Sequence, residues 1–305
     1  MDARASSDGR ADGPAVDLDG VCVRYGPVEA LHEATLRIPR GVSVAVIGPN
    51  GSGKSTLLGV LSGLVPVACG DARVLGAPVP PRHGEVAHVL QDTPLRPEVP
   101  MTVAETVRLG TYAALGLLRR PDATTRERVR TAVERLALTD LLDRQLPELS
   151  GGQRQRVLIA QGLVQDADLL LLDEPVAGLD VTSQRIILDV IAEERARGRT
   201  VVTTTHDIGS AADADLVVLV ATDVIAFGPP DEVLTPEHLS RAFGGHLHVL
   251  PDGTLVLDDP THHGAPHAHA PEALGHHDTP AHGTPAHGTP AGADHAHDHT
   301  HDVSG

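Results

Sequence analysis

One lysine occurs in the whole chain, and it is Lys54, within Gly48-Pro49-Asn50-Gly51-Ser52-Gly53-Lys54-Ser55-Thr56. The segment fits G-x-x-x-x-G-K-[ST], a loop whose backbone N–H groups cradle phosphate oxygens between a strand and the helix after it. The remaining Lys and Arg positions are all arginine, so a site that keeps lysine needs its compact ammonium. That group slips between β- and γ-phosphate oxygens where a broad planar guanidinium does not fit. The loop predicts binding and hydrolysis of a nucleoside triphosphate. It also restricts the fold, because Val42 to Ile47 must then be a buried strand and Ser55 to Leu61 the start of a helix.

The rest of the chain is consistent with that demand. Before residue 91, strand-like runs (Val16 to Leu18, Val21 to Val23, Thr35 to Ile38) alternate with Gly and Pro turns. Between about 100 and 165 the apolar residues fall at helical spacing, as in Val103, Val107, Val129, Val133, Leu136 and Leu138, with charged Arg126, Glu127, Arg130 and Glu134 between them. From 168 onward, buried strands (Leu169 to Leu172, Val201 to Thr204, Leu216 to Val220) alternate with helices such as Gln184 to Arg197, the rhythm of a parallel sheet. Leu247 to Leu257 reads as a hairpin around Asp252-Gly253. Residues 1–14 are expected as a flexible start without a secretory signal, and 15–258 as the folded domain, its helical part at about 92–165.

With 305 residues and 41% apolar content the chain can bury a sizeable core. A net charge of -17 argues against a nucleic-acid surface. Cys22 and Cys69 are too few for a disulfide framework and read as separate small buried hydrophobes in a reducing compartment. No apolar run reaches the length of a membrane span, so any membrane role is expected to come through a partner.

Three further segments carry chemistry. Asp168-Leu169-Leu170-Leu171-Leu172-Asp173-Glu174-Pro175 is an apolar strand ending in two acids. Asp173 at its carboxyl end can hold Mg2+ with Ser55, and Glu174 can deprotonate a water attacking the γ-phosphate. Leu149-Ser150-Gly151-Gly152-Gln153 opens an apolar helix, forming either a second anion site or an ordinary helix cap. Thr205-His206-Asp207 follows a later strand.

The order of these motifs, with a lone Gln91 after a strand, resembles the nucleotide-binding subunit of ATP-binding cassette (ABC) transporters over residues 15–245; Gln161-Gly162 replaces an Arg-Ala pair frequent in relatives. The resemblance implies an α/β fold: a P-loop NTPase (RecA-like) core with an antiparallel β subdomain and a helical signature subdomain. It implies ATP and Mg2+ as ligands, with Tyr25 stacking on adenine. Gln91 would touch Mg2+ or the lytic water, His206 the γ-phosphate, and Asp180 would lie in the loop crossing between two cassettes. Ser150, Gly151, Gly152 and Gln153 would close over the ATP of a second copy. With one phosphate loop and one signature per chain, the expected ATPase is a dimer, most simply a homodimer. It would sit on the cytoplasmic face of the membrane through a permease, with a solute-binding protein if it imports.

Met101 to Val107, Leu149 to Leu158 and Val176 to Asp180 look most like the manganese and zinc branch of that family. Residues 259–305 break with everything before: they are rich in Ala, Pro, Gly and His, repeat Thr-Pro-Ala-His-Gly, and hold 12 of the 19 histidines. Such a segment is expected to be disordered. Its alternating His295, His297, His299 and His301 are candidate ligands for Zn2+ or a similar ion. A transporter for another substrate, a soluble ABC ATPase, and a metal-storage module remain alternatives.

Overall fold

The computed structural model describes residues 13–91, 101–116, 121–244, 247–249 and 255–257. Strand β1 (Val16–Tyr25) buries Val16, Leu18, Val21 and Val23, and β2 (Val28–Ile38) buries Leu31, Ala34, Leu36 and Ile38, so both feed one core. The two apolar runs expected before Tyr25 are a single strand. Gly20, at φ 58°, sits in a register shift between Leu18 and Val21, which returns both runs to the inward face. Strand β3 (Ser43–Ile47) enters the interior and leads into helix α1 (Lys54–Ser62). Strands β4 (Cys69–Val74) and β5 (Ala77–Pro78) complete an antiparallel sheet in the order β2-β1-β4-β5.

The cysteines do not stay separate, as the sequence suggested. Cys22 on β1 and Cys69 on β4 face each other in register, with Cα atoms 5.0 Å apart, and form a disulfide. The antiparallel pairing of β1 with β4 brings these two positions opposite one another, within the Cα separation a disulfide spans. The cysteine count therefore carries no information about a reducing compartment.

Strand β6 (Val86–Val89) ends just before Gln91. The helical insertion follows as α2 (Val103–Leu109), α3 (Tyr112–Leu115), α4 (Ala123–Arg135) and α5 (Gly151–Val164). Its starts are chemically specified: Thr102 and Glu105 form a capping box on α2, and the Asp122 side chain accepts from the Thr125 N–H on α4. Val103, Val107, Val133, Leu136, Leu138, Leu149 and Val157 close its core. Then come β7 (Leu169–Leu172), α6 (Val181–Ala196), β8 (Thr200–Thr205), α7 (Ile208–Ala212), β9 (Leu216–Ala221), β10 (Asp223–Gly228), α8 (Pro230–Val233) and α9 (Pro236–Phe243).

The main sheet has the order β10-β9-β3-β8-β7-β6. Five of its strands, β9, β3, β8, β7 and β6, are parallel, and β3, β7 and β9 read as near-continuous apolar runs, as strands covered on both faces do. The edge strand β10 departs from the expected parallel rhythm by pairing antiparallel with β9. A single residue, Thr222 at φ 68°, joins the two, and a parallel return would require a crossover of a dozen residues.

Helices α4 and α6 are tied by charge. Glu194 is 1% exposed and receives Arg135 at 2.6 Å, Arg197 at 2.8 Å and Arg199 at 2.9 Å. The expected hairpin is present as β11 (Leu247–Val249) antiparallel to β12 (Leu255–Leu257). Its turn at Asp252-Gly253, the start of the chain and the histidine-rich tail with His295, His297, His299 and His301 lie outside the described residues. Among the described residues no helix is long and apolar enough to cross a membrane.

Candidate nucleotide site

The phosphate loop leaves the buried end of β3 and enters α1 at Lys54. Its glycines have different reasons. A Cβ on Gly48 would lie 2.0 Å from the Val220 carbonyl oxygen and 2.7 Å from Ser52 Oγ, so close approach of β9 forbids any side chain. Gly53 has φ 101°, and a Cβ there would lie 2.5 Å from the Ala30 oxygen. Lys54 is 6% exposed, and its ammonium donates to Gly48 O at 2.8 Å and Pro49 O at 3.0 Å, which folds the loop around it. Asn50, Gly51 and Ser55 are exposed, whereas Ser52 is buried. Gly48→Ala should force the loop away from β9. We expect nucleotide affinity to fall about tenfold, the effect of a modest overpacking cost, as read by titration with fluorescent ATP; unchanged affinity would contradict the close approach.

The acidic end is assembled from neighbouring strands. Gln91 follows β6, Asp173 and Glu174 follow β7, and His206 follows β8, while the loop follows β3 beside it. Strand order therefore lines these groups along the carboxyl edge of one parallel sheet, the place where such sheets bind ligands. Gln91 Nε2 donates to Glu174 Oε2 at 2.9 Å, and His206 Nδ1 stands 3.8 Å from the same oxygen. Glu174 has φ 45°, a backbone region rare for residues other than glycine and a form of strain that gathers at functional sites.

Sequence reading missed Thr204, which holds both acids. Its hydroxyl donates to Asp173 Oδ1 at 2.5 Å and accepts from the Glu174 N–H at 2.8 Å, and the residue is fully buried. The available signal was the run Thr203-Thr204-Thr205 at the end of a strand leading into His206, polar residues where an interior strand would be apolar. His88 on β6 lies nearby, its Nδ1 3.0 Å from Ser62 Oγ, and burial holds its imidazole below the ordinary value. Asp207 caps α7, and hydrogen bonding from Ser210 holds its carboxyl below the usual carboxylate range.

Ser150, Gly151, Gly152 and Gln153 make a second cluster. Ser150 caps α5, its hydroxyl accepting from the Gln153 N–H at 3.2 Å while its own N–H donates to Gln153 Oε1 at 3.0 Å. The turn packs on the start of α6: a Cβ on Gly152 would lie 2.4 Å from Ser183 Oγ and 2.7 Å from Asp180 Oδ2. Asp180 caps α6 by accepting from the Ser183 N–H at 2.9 Å, a bond that holds its carboxyl below the usual range. Tyr25, at the end of β1, is 52% exposed, its ring free to meet a flat ligand.

A profile described as ABC transporter matches residues 31–177. Over 234 residues the chain is 41% identical to the zinc transport system ATP-binding protein TroB of Treponema pallidum (strain Nichols), covering 76% of this chain and 88% of TroB. The chain belongs to the ABC transporter family. It is also similar to the manganese transport system ATP-binding protein MntB of Bacillus subtilis (strain 168), at 38% identity over 79% of this chain and 97% of MntB. A solved structure of cbiO1 from Clostridium perfringens, part of the ABC transporter complex cbiONQ, superposes with a TM-score of 0.64 at 29% identity, over 75% of this chain and 94% of cbiO1. As an ATP-binding subunit of this family, the protein is an ATPase, and ATP-binding subunits of ABC transporters pair with membrane permease components.

Proposed function

We propose that this subunit couples ATP hydrolysis at an interface of two chains to the movement of a divalent transition metal, zinc or manganese, through a separate permease. The observation that carries the chemistry is the single Glu174 carboxylate reached by both Gln91 and His206 at the strand edge beside the phosphate loop. Glu174 is the base for the lytic water, His206 addresses the γ-phosphate, and Lys54 releases the Gly48 and Pro49 carbonyls to take β- and γ-phosphate oxygens. Gly48, Pro49, Asn50, Gly51, Ser52, Gly53, Ser55 and Thr56 surround the phosphates, and Tyr25 stacks on the base.

Among the described residues no three His, Cys, Asp or Glu side chains could cage a metal by themselves. A hydroxyl, a carboxylate and an amide oxygen from Ser55, Asp173 and Gln91 suit Mg2+, which keeps several waters and takes one or two protein oxygens together with phosphates. Ser55, Asp173 and Gln91 would hold it, and the ion would supply positive charge against the negative charge developing on the phosphate oxygens. Thr204 keeps the Asp173 carboxylate aimed for that task.

Ser150, Gly151, Gly152 and Gln153 belong to a different cluster from the chain's own phosphate loop, and Asp180 lies with them. In this reading they complete the site of a second protomer, and the pair separates once hydrolysis removes the shared γ-phosphate. The choice of metal is supported by the transport systems to which TroB and MntB belong. The test is uptake into vesicles holding the cognate permease with this subunit and MgATP. Zinc or manganese should accumulate, whereas uptake of neither would reject the assignment.

The tail from residue 259 belongs to the same proposal. His295, His297, His299 and His301 alternate along the chain and suit chelation of Zn2+. Removing residues 260–305 should abolish zinc binding measured by calorimetry and leave ATP turnover within about twofold, the range expected where no assigned site group is lost. Retained zinc binding would assign the metal elsewhere.

A further inference from the structure

The chain crosses from β7 to α6 through a turn running from Glu174 to Asp180, with a site group at each end. The Glu174 N–H is held by the Thr204 hydroxyl at 2.8 Å, and the Asp180 carboxylate by the Ser183 N–H at 2.9 Å. Between these fastenings the backbone doubles back, with Gly178 at φ 65°. The turn's own hydrogen bonds are long. The Ala177 N–H reaches Glu174 O at 3.3 Å and the Leu179 N–H reaches Val176 O at 3.4 Å, beyond the usual span of such bonds.

Gln184 supplies what the turn lacks. It stands one turn into α6, its N–H donating to Asp180 O at 3.0 Å, and a helical side chain leans toward the start of its helix. The half-buried amide therefore lies against the turn, where Nε2 donates to Val176 O at 3.3 Å and Leu179 O at 3.1 Å. An amide nitrogen carries two hydrogens, so both are engaged. Val176 O belongs to the peptide that carries the Ala177 N–H, itself bonded to Glu174 O, and Leu179 O belongs to the peptide that leads into Asp180. The Val176 and Leu179 side chains also pack on the core of the helical insertion. Apolar packing is non-directional, whereas two hydrogen bonds from one planar amide fix the direction of both carbonyls.

We propose that Gln184 is a positioning residue for ATP hydrolysis, aiming the Glu174 carboxylate by fixing the turn that follows it. The inference rests on the reading of Glu174 as the base given above. The side-chain bonds of Gln184 go to this turn and not to the phosphate loop on β3 and α1. Its loss should slow the chemical step and leave loading of ATP intact.

The experiment compares the full chain with Gln184→Met, which keeps length and helix preference but has no donor, and with Gln184→Lys, which restores N–H donors at similar reach. ATP affinity is read by fluorescent-ATP titration, kcat by steady-state phosphate release, and slow variants by single-turnover release of radiolabelled phosphate. Gln184→Met should lower kcat about tenfold, the scale of a slightly misplaced group, with ATP affinity within about twofold of the parent. Gln184→Lys should recover part of the lost rate. Added to Glu174→Gln, Gln184→Met should slow cleavage by no more than about twofold, because residues that act as a unit are not additive. Parental kcat in Gln184→Met, no recovery in Gln184→Lys, or a further tenfold loss in the double variant would each overturn the inference. So would parallel loss of affinity and kcat, the signature of a merely structural residue. Parental turnover in Glu174→Gln alone would instead overturn the reading of the base, and this inference with it.

Discussion

Glu174→Gln should lower ATP turnover about a thousandfold, within the range attributed to a positioned general base, while ATP remains bound and holds two protomers together. The amide keeps the shape of the side chain and its place beside Gln91 and His206, but it cannot accept a proton from water. The strained backbone at Glu174, fixed by the Thr204 hydroxyl, stays in place because it does not depend on the carboxylate. Steady-state phosphate release measures the first effect, and gel filtration with MgATP the second. A variant that turned over ATP at the parental rate would remove Glu174 from the reaction. One that lost turnover but eluted only as a monomer would instead reject the shared site.

The largest expected effect on stability lies away from the nucleotide. Glu194→Ala removes the carboxylate on which Arg135, Arg197 and Arg199 converge. Breaking a buried ion pair from one side costs about 3 kcal/mol at the lower end of its range. The lower end applies here because Arg135 also reaches Glu193, and Arg199 also reaches Asp166. For a domain of this size that loss corresponds to a melting temperature lower by about 9 °C. Differential scanning calorimetry checks it; a shift below about 2 °C, less than one kcal/mol on the same scale, would show that the network contributes little.

Much of the nucleotide site is legible from local patterns. The loop around Lys54, the strand into Asp173 and Glu174, and the capped start at Ser150 are each written in contiguous residues whose spacing matches one element. Two errors occur where an interaction joins distant positions: Cys22 and Cys69 pair across two strands, and Thr204 reaches the acids at the end of the adjacent strand β7. The third is local, β10 folding back on β9 through Thr222 alone.

Local chemistry thus determined that the chain has a phosphate loop, where its strands and helices begin, and which side chains are suited to phosphate, magnesium or proton transfer. Those properties depend on backbone geometry and side-chain type within a few residues. Only the tertiary structure decided that Gln91 and His206 meet at the Glu174 carboxylate, and that Gly152 lies against Asp180. The reason is that the order of strands in a sheet, and the packing of helices across it, place side by side groups whose separation along the chain carries no record of that proximity.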